Sequence, residues 1–292
     1  MSCRRSSWGC RKPRRPWKAA RLAGSWSVLR SLAMLDDILL SKQAEVDEAK
    51  GRLPLEDLKA RVASYMPDRS FRKALSGLKR PALIAELKRK SPSKGMLRER
   101  FDPVSLAQTL QDAGASALSV LTDETFFGGH LDFLRDVKHF TEIPVLRKDF
   151  IIDPYQVYES ATYEADAVLL IVRALTEETL LQCMQAADTL GIEPLVEVHS
   201  EDELKVALSV GAHVIGINHR DLNTFQIDLT LSERLIPRVP KGKLIVAESG
   251  VSSAEDVKRL RQLGVHGVLI GESLMTAPDP AAKIRELFAG TW

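Results

Sequence analysis

From residue 81 onward the chain alternates short apolar runs with longer segments in which apolar and charged residues recur at helical spacing. The runs cover residues 82–87, 117–121, 144–146, 167–172, 194–198, 214–217, 244–247 and 268–270 and are rich in Val, Ile and Leu. Runs without clean polar alternation belong to strands covered on both faces, as in parallel sheets with crossover helices. The intervening segments predict helices over residues 104–113, 131–140, 154–163, 177–190, 200–210, 229–236 and 254–263, with 280–288 closing the series. Ahead of these, Leu35, Ile38, Leu39 and Val46 mark an amphipathic helix over 34–51, and 55–65 reads as a second.

Eight strands and eight helices in about 210 residues predict an α/β fold, a (β/α)8 TIM barrel over residues 81–292 with an extra N-terminal helical segment over 34–80. The main rival is a doubly wound open sheet. That fold calls for a glycine-rich turn after its first strand, whereas Leu87 is followed by Lys88-Arg89-Lys90-Ser91-Pro92-Ser93-Lys94.

Composition narrows the class. The chain has 292 residues, 45% apolar and 27% charged, with 14 prolines and 17 glycines, which excludes collagen, low-complexity and disulfide-scaffold proteins. No apolar run is long enough to cross a bilayer, so no membrane partner is expected. Cys3, Cys10 and Cys183 have neither an even count nor metal-ligand spacing, and a reducing, cytoplasmic setting is expected.

The formal net charge of +2 conceals a partition. Residues 1–33 hold nine of the 41 Lys and Arg and none of the 39 Asp and Glu, which leaves −7 on the rest. The basicity belongs to a leader and the body is acidic, so no nucleic-acid partner is expected of the body. The leader, with prolines in Arg11-Lys12-Pro13-Arg14-Arg15-Pro16, is expected to be disordered. Its Arg-rich, acid-free composition also suits an organelle transit peptide or an RNA-binding arm, but the simpler reading is a disordered extension translated from a start upstream of Met34.

Barrel enzymes draw catalytic side chains from the C-terminal ends of their strands. Here those ends carry Glu86 and Lys88, Lys148, Glu197, Asn218 and Arg220, Glu248 and Ser249, and Gly271 and Glu272. Any one of these reads most simply as a solvated loop charge or a buried ion pair. Together they read as a mouth where acids and ammoniums tune one another for proton transfer. Glycines and free amides in Glu248-Ser249-Gly250-Val251-Ser252 and Ile270-Gly271-Glu272-Ser273 follow strands seven and eight, where such barrels commonly hold a phosphate. The six histidines, His130, His139, His199, His213, His219 and His266, lack metal spacing and read mostly as surface or helix-end residues, so no metal is expected.

Several of these segments closely resemble indole-3-glycerol-phosphate synthases. They are Ile84-Ala85-Glu86-Leu87-Lys88-Arg89-Lys90-Ser91-Pro92-Ser93, Leu146-Arg147-Lys148-Asp149-Phe150-Ile151, Pro194-Leu195-Val196-Glu197-Val198, Gly216-Ile217-Asn218-His219-Arg220-Asp221-Leu222 and Ala247-Glu248-Ser249-Gly250-Val251. The likeness runs in order from about residue 35 to residue 287. It implies the barrel fold and the ring-closing step of tryptophan biosynthesis. In that step 1-(2-carboxyphenylamino)-1-deoxyribulose 5-phosphate loses carbon dioxide and water, with no cofactor.

By motif, the resemblance makes Lys148 the general acid at the ketone oxygen, and Lys88 and Glu197 the groups for the later dehydration. The division of acid roles between the two lysines stays open. Glu86 orients the lysines and keeps them charged. Asn218, Arg220 and Ser91 fall to the anthranilate end, Phe127, Phe150 and Leu169 to an apolar slot around its ring, and Glu248 and Ser249 to substrate binding. Lys88 and the amides near Gly250, Gly271 and Glu272 fall to the phosphate. The Glu272 carboxylate would repel a phosphate, so its amide is expected to bind while its side chain turns away. Residues 126–129 and 90–100 are expected to act as lids.

Two rivals remain. Another phosphosugar barrel, the phosphoribosylanthranilate isomerase, resembles a Cys and Asp acid–base pair, and no cysteine lies near Glu86 and Lys88. A non-catalytic binder has no need of Glu86, Lys88, Lys148 and Glu197 together. The expected partner is a small phosphosugar, and the expected assembly a monomer or weak homodimer.

Overall fold

Eight strands, β1 (Ala82–Leu87), β2 (Ala117–Leu121), β3 (Val145–Lys148), β4 (Ala167–Ile171), β5 (Glu193–Val198), β6 (Val214–Asn218), β7 (Leu244–Glu248) and β8 (Gly267–Ile270), form the centre of the computed structural model, which describes residues 26–221 and 224–290. Each pairs in parallel with its sequence neighbours, and β1 closes on β8 through Ala82↔Gly267 and Ile84↔Leu269. This is the expected (β/α)8 barrel.

Helices cover the strands outside, and their starts follow from local chemistry. Asp102, Asp153 and Asp279 each accept hydrogen bonds from amides in the next turn, and a proline stands first in the helices Pro103–Asp112, Pro154–Thr162 and Pro280–Leu287. A carboxylate satisfies unpaired donors there, and proline costs nothing where its missing N–H has no acceptor. Thr176, Ser200 and Ser253 cap Glu177–Leu190, Glu201–Ser209 and Ala254–Gln262 with hydroxyls.

Side-chain alternation divides the apolar residues into two cores. Leu83, Ala85, Leu118, Val120, Val168, Leu170, Val196, Ile215, Ile245 and Val268 face the helices. Their neighbours Ala82, Ile84, Ala117, Leu146, Ala167, Leu169, Leu195, Val214, Val246 and Leu269 fill the barrel. A period of two requires this, because successive residues of a strand point to opposite faces. The same parity, carried to the strand ends, turns Glu86, Lys148, Glu197, Asn218 and Glu248 to the inside.

Three helices precede the barrel. The first, Trp26–Arg52, begins eight residues before the expected start at Met34. The expected leader therefore lies partly in this helix, and its residues 1–25 lie outside the described residues. The second, Leu55–Arg61, stops short of the expected residue 65. The third, Phe71–Leu75, has no apolar period long enough to be read from sequence, and it packs its buried Phe71 and Leu75 into the interior core. Among the described residues no helix is long and apolar enough to cross a membrane.

The first helix is fastened by charge. Lys42, 2% exposed, places its ammonium 2.9 Å from Asp149 Oδ1 and 3.2 Å from Asp123 Oδ2. Burial opposes the charge on Lys42, but the two carboxylates with Glu45 raise its pKa above the ordinary lysine value. Asp149 in turn accepts from Arg147 and Thr122. At the surface, Lys50 reaches Asp153 at 2.6 Å with much of its side chain in water. Replacing Lys42 with Met takes the shared cation from two buried carboxylates, of which Asp149 alone retains Arg147. Urea unfolding of Lys42→Met is expected to show a loss of about 3–5 kcal/mol, against less than about 1 kcal/mol for Lys50→Ala.

Candidate active site

The inward-turned strand ends and the loops that follow them border a cleft of about 980 Å³, part of which is open to solvent. It is lined by all the residues singled out from sequence: Glu86, Lys88, Ser91, Phe127, Lys148, Phe150, Leu169, Glu197, Asn218, Arg220, Glu248, Ser249, Gly250, Gly271 and Glu272.

Lys148, at the end of β3, is the centre of the charged part. Its ammonium lies 3.4 Å from Glu197 Oε2 and 3.8 Å from Glu248 Oε2. Burial alone would lower its pKa, but Glu197, Glu248 and Glu86 raise it, so the group is an ammonium at neutral pH. Lys88 Nζ lies 2.6 Å from Glu86 Oε1, as their i, i+2 spacing on one face allows.

The two carboxyl groups facing Lys148 differ. Glu197 meets Lys148, receives a hydrogen bond from Asn218 Nδ2 at 3.0 Å and has His199 Nε2 at 3.3 Å. Burial pushes its pKa up, but these neighbours hold it below the usual carboxylate range. Glu248 is equally buried, yet neither of its oxygens has a hydrogen-bond partner among the described residues. Burial and the charge of Glu197 raise its pKa well above the ordinary value, and Lys148 offsets this only in part. The two carboxyl groups that face the Lys148 ammonium are thus pushed in opposite directions, Glu197 down and Glu248 up, the kind of divergence on which acid–base chemistry relies.

An apolar slot adjoins the charges. The Phe127 and Phe150 rings are 6.0 Å apart, and Leu169 and Ile171 belong to the same packed cluster. Phe127 closes the short helix Glu124–Phe127, whose Phe126 and Phe127 amides donate to Asp123 Oδ1. After β1 the chain forms a small hairpin of Lys90–Ser91 with Gly95–Met96, and Lys90 Nζ donates to Thr125 O at 2.8 Å, joining the two loops.

The glycines have steric reasons to be where they are. Gly250 adopts φ +81, and a Cβ there would lie 2.6 Å from Ile227 Cγ2, so glycine admits the loop that follows β6. Gly271 backs onto Glu86, and a Cβ would lie 2.2 Å from its Oε1. Ser273 Oγ donates to Val251 O at 2.9 Å and joins the turns after β7 and β8. The Glu272 side chain reaches Arg220 Nη2 at 3.1 Å and Lys94 Nζ at 3.7 Å.

Sequence reasoning missed some participants. His199 and His219 depart from the surface or helix-end placement expected of most histidines: the His199 side chain is 2% exposed, and His219 is buried with Nε2 2.7 Å from Ser232 Oγ. The signal for His199 was its place two residues after Glu197, which sends both side chains to one face. Phe225, at φ +56, also lines the cleft.

A family model for indole-3-glycerol phosphate synthase matches residues 35–287. The chain is 47% identical over 262 residues to the indole-3-glycerol phosphate synthase of Roseiflexus castenholzii, covering 87% of this chain and 97% of that one. It is 46% identical over 266 residues to that of Roseiflexus sp. strain RS-1, covering 88% and 99%. Among solved structures it is similar in fold to 3-hexulose-6-phosphate synthase from Salmonella typhimurium, with a TM-score of 0.58, 17% identity, and 70% of this chain and 96% of that chain covered. The chain belongs to the indole-3-glycerol phosphate synthase family.

Proposed function

We propose that the cleft closes the indole ring, converting 1-(2-carboxyphenylamino)-1-deoxyribulose 5-phosphate to indole-3-glycerol phosphate, carbon dioxide and water. The observation that carries this reading is the partly buried Lys148 ammonium, set between Glu197 and Glu248 and lining one cleft with the Phe127 and Phe150 rings.

With the anthranilate ring in the slot, its nitrogen lone pair makes the ring carbon bearing the carboxylate nucleophilic. That carbon attacks the ketone carbon while Lys148 protonates the ketone oxygen. An ammonium in a closed cavity supplies the proton and stabilises the developing alkoxide. The bond to the carboxylate then breaks, its electron pair restores the aromatic ring, and carbon dioxide departs. Dehydration follows, in which an acid protonates the leaving hydroxyl and a base removes a proton from the new ring. Lys88 and Glu197 are assigned to this step. Glu86, against Lys88, keeps that ammonium placed.

Binding roles follow from placement. Arg220 takes the substrate carboxylate, with Asn218 and Ser91 beside it, because a guanidinium matches a carboxylate in shape and charge. Glu248 and Ser249 bind the substrate hydroxyls. Lys88 and the amides around Gly250, Gly271 and Glu272 hold the phosphate. The Glu272 carboxylate, which gives up Arg220 to the substrate carboxylate, keeps Lys94 beside it, and that cation draws it off the phosphate. The reading also includes a cytoplasmic setting and a monomer or weak dimer.

The direct test is indole fluorescence on mixing the full chain with the carboxyphenylamino substrate. Lys148→Ala is expected to lower turnover by at least about 100-fold with its circular dichroism unchanged. Wild-type protein that produces no fluorescence refutes the reading. Gly271→Ala probes the other end of the cleft. Its Cβ meets Glu86, which must leave Lys88. Its kcat/KM is expected to fall by about tenfold or more, measured by the same fluorescence.

A further inference from the structure

Glu197 does not end its chain of contacts at the substrate side. His199 Nε2 lies 3.3 Å from Glu197 Oε1, and His199 Nδ1 lies 3.2 Å from Glu203 Oε2, to which the His199 amide also donates at 2.7 Å. Glu203 Oε1 accepts from Arg173 Nε at 3.0 Å, and Arg173 Nη1 reaches Asp221 Oδ2 at 3.2 Å. The path runs from the interior of β5 through the helix Glu201–Ser209 and the segment after β4 to the loop after β6, where Asp221 follows Arg220.

We propose that His199 is a positioning residue for the ring-closing reaction: an imidazolium seated between Glu197 and Glu203 that orients Glu197 for proton transfer and, through Arg173 and Asp221, ties it to the loop bearing Arg220. The inference rests on the proton-transfer role given to Glu197 above.

The physical need arises from Lys148. A lysine that gives its proton to the ketone oxygen loses its charge at that moment, and with it the attraction that holds Glu197. His199 lies on the side of Glu197 opposite to the exchange, its other nitrogen occupied by Glu203, and so keeps its proton through the cycle. With Asn218 it leaves the Glu197 carboxylate ionised and fixed when Lys148 is neutral.

The charged groups around this pair are Glu197 on its own strand and Glu203 on the following helix. Arg173 and Asp221 lie beyond Glu203, while Lys148 of β3 and Glu248 of β7 face Glu197. Burial would lower the His199 pKa, but the Glu203 hydrogen bonds and the charges of Glu197 and Glu203 raise it to about 9. Its contribution is therefore complete below about pH 6.5, the ordinary histidine value, and is lost as the pH rises through about 9.

The test is kcat and KM from pH 5 to 10, with thermal melts, on the full chain and on His199→Leu, His199→Gln, Glu203→Gln and Glu197→Gln. For His199→Leu we expect kcat to fall about tenfold, KM to stay within about twofold, and the acid limb of the kcat profile to move up by about one pH unit. His199→Gln, a neutral donor, is expected to recover most of kcat while leaving that limb displaced. Glu203→Gln, which removes one of the two carboxylates that hold the imidazolium, is expected to bring the alkaline limb down from about pH 9. An unmoved acid limb in His199→Leu, with activity lost only in step with the melting temperature, overturns the inference and leaves His199 as packing. Full kcat in Glu197→Gln overturns both the inference and the role of Glu197 beneath it, whereas an inactive Glu197→Gln beside an unaffected His199→Leu overturns the inference alone.

Discussion

A closed barrel of parallel strands has one interior, and every second residue of each strand must go into it. Most of this chain's architecture and its chemistry descend from that constraint. Low in the barrel, the inward positions are Ala82, Ala117, Ala167, Val214 and Val246, which fill the space without polar atoms. At the upper ends the same positions are Glu86, Lys148, Glu197, Asn218 and Glu248, with nowhere else to point. Charges taken so far from water are stable only when they answer one another. Lys148 holds its proton because three carboxyl groups surround it, and Glu197 stays ionised because Lys148, His199 and Asn218 converge on it. Glu248, which no hydrogen bond from a described residue supports, has its pKa pushed up instead.

Behind the barrel wall a second charge network supports the first. Arg147 and Lys148 are adjacent and point to opposite sides of β3. Arg147, buried against the helices, meets Asp149, Glu159 and the carbonyl of Gln156. Asp149 receives Lys42 from the N-terminal helix, and Lys42 also reaches Asp123, the cap of the helix that ends at Phe127. The Lys148 backbone and both aromatic walls of the slot are thus held by a network whose Arg147, Lys42 and Asp123 lie outside the cleft and whose Asp149 borders it. Such a buried network is costly to break at one member, which is how precision at a reacting atom is kept.

The legibility of the sequence follows the same logic. Strands β1 and β2 and the helix Glu177–Leu190 have the boundaries read from their apolar patterns, because burial alone decides them. Strand β3 was read as residues 144–146 and runs Val145–Lys148, since a hydropathy pattern stops at two cations that the barrel pairs with carboxylates. The helix Phe71–Leu75 and the short turns Glu124–Phe127 and Glu272–Met275 went unread, as four or five residues carry no helical period. For the cleft, the strand-end rule was enough to bring every candidate to one cavity. It did not extend to His199, one step beyond the end of β5, because its burial depends on Glu203 in the next helix.

The pairing of Glu272 with Arg220 bears on how the proposed reaction ends. The guanidinium already has an anionic partner in Glu272, so in the proposed reaction a substrate carboxylate would exchange with Glu272 and not fill a bare charge. The ground state gains little from such an exchange, which leaves the carboxylate free to depart. Once that anion has left as neutral carbon dioxide, Arg220 would stand alone in a largely enclosed site unless Glu272 returned to it. Loss of carbon dioxide and recovery of the Arg220–Glu272 pair then proceed in one direction. On the proposed reading, a carboxylate that would repel a phosphate serves the reaction through the Arg220 it holds at its other side.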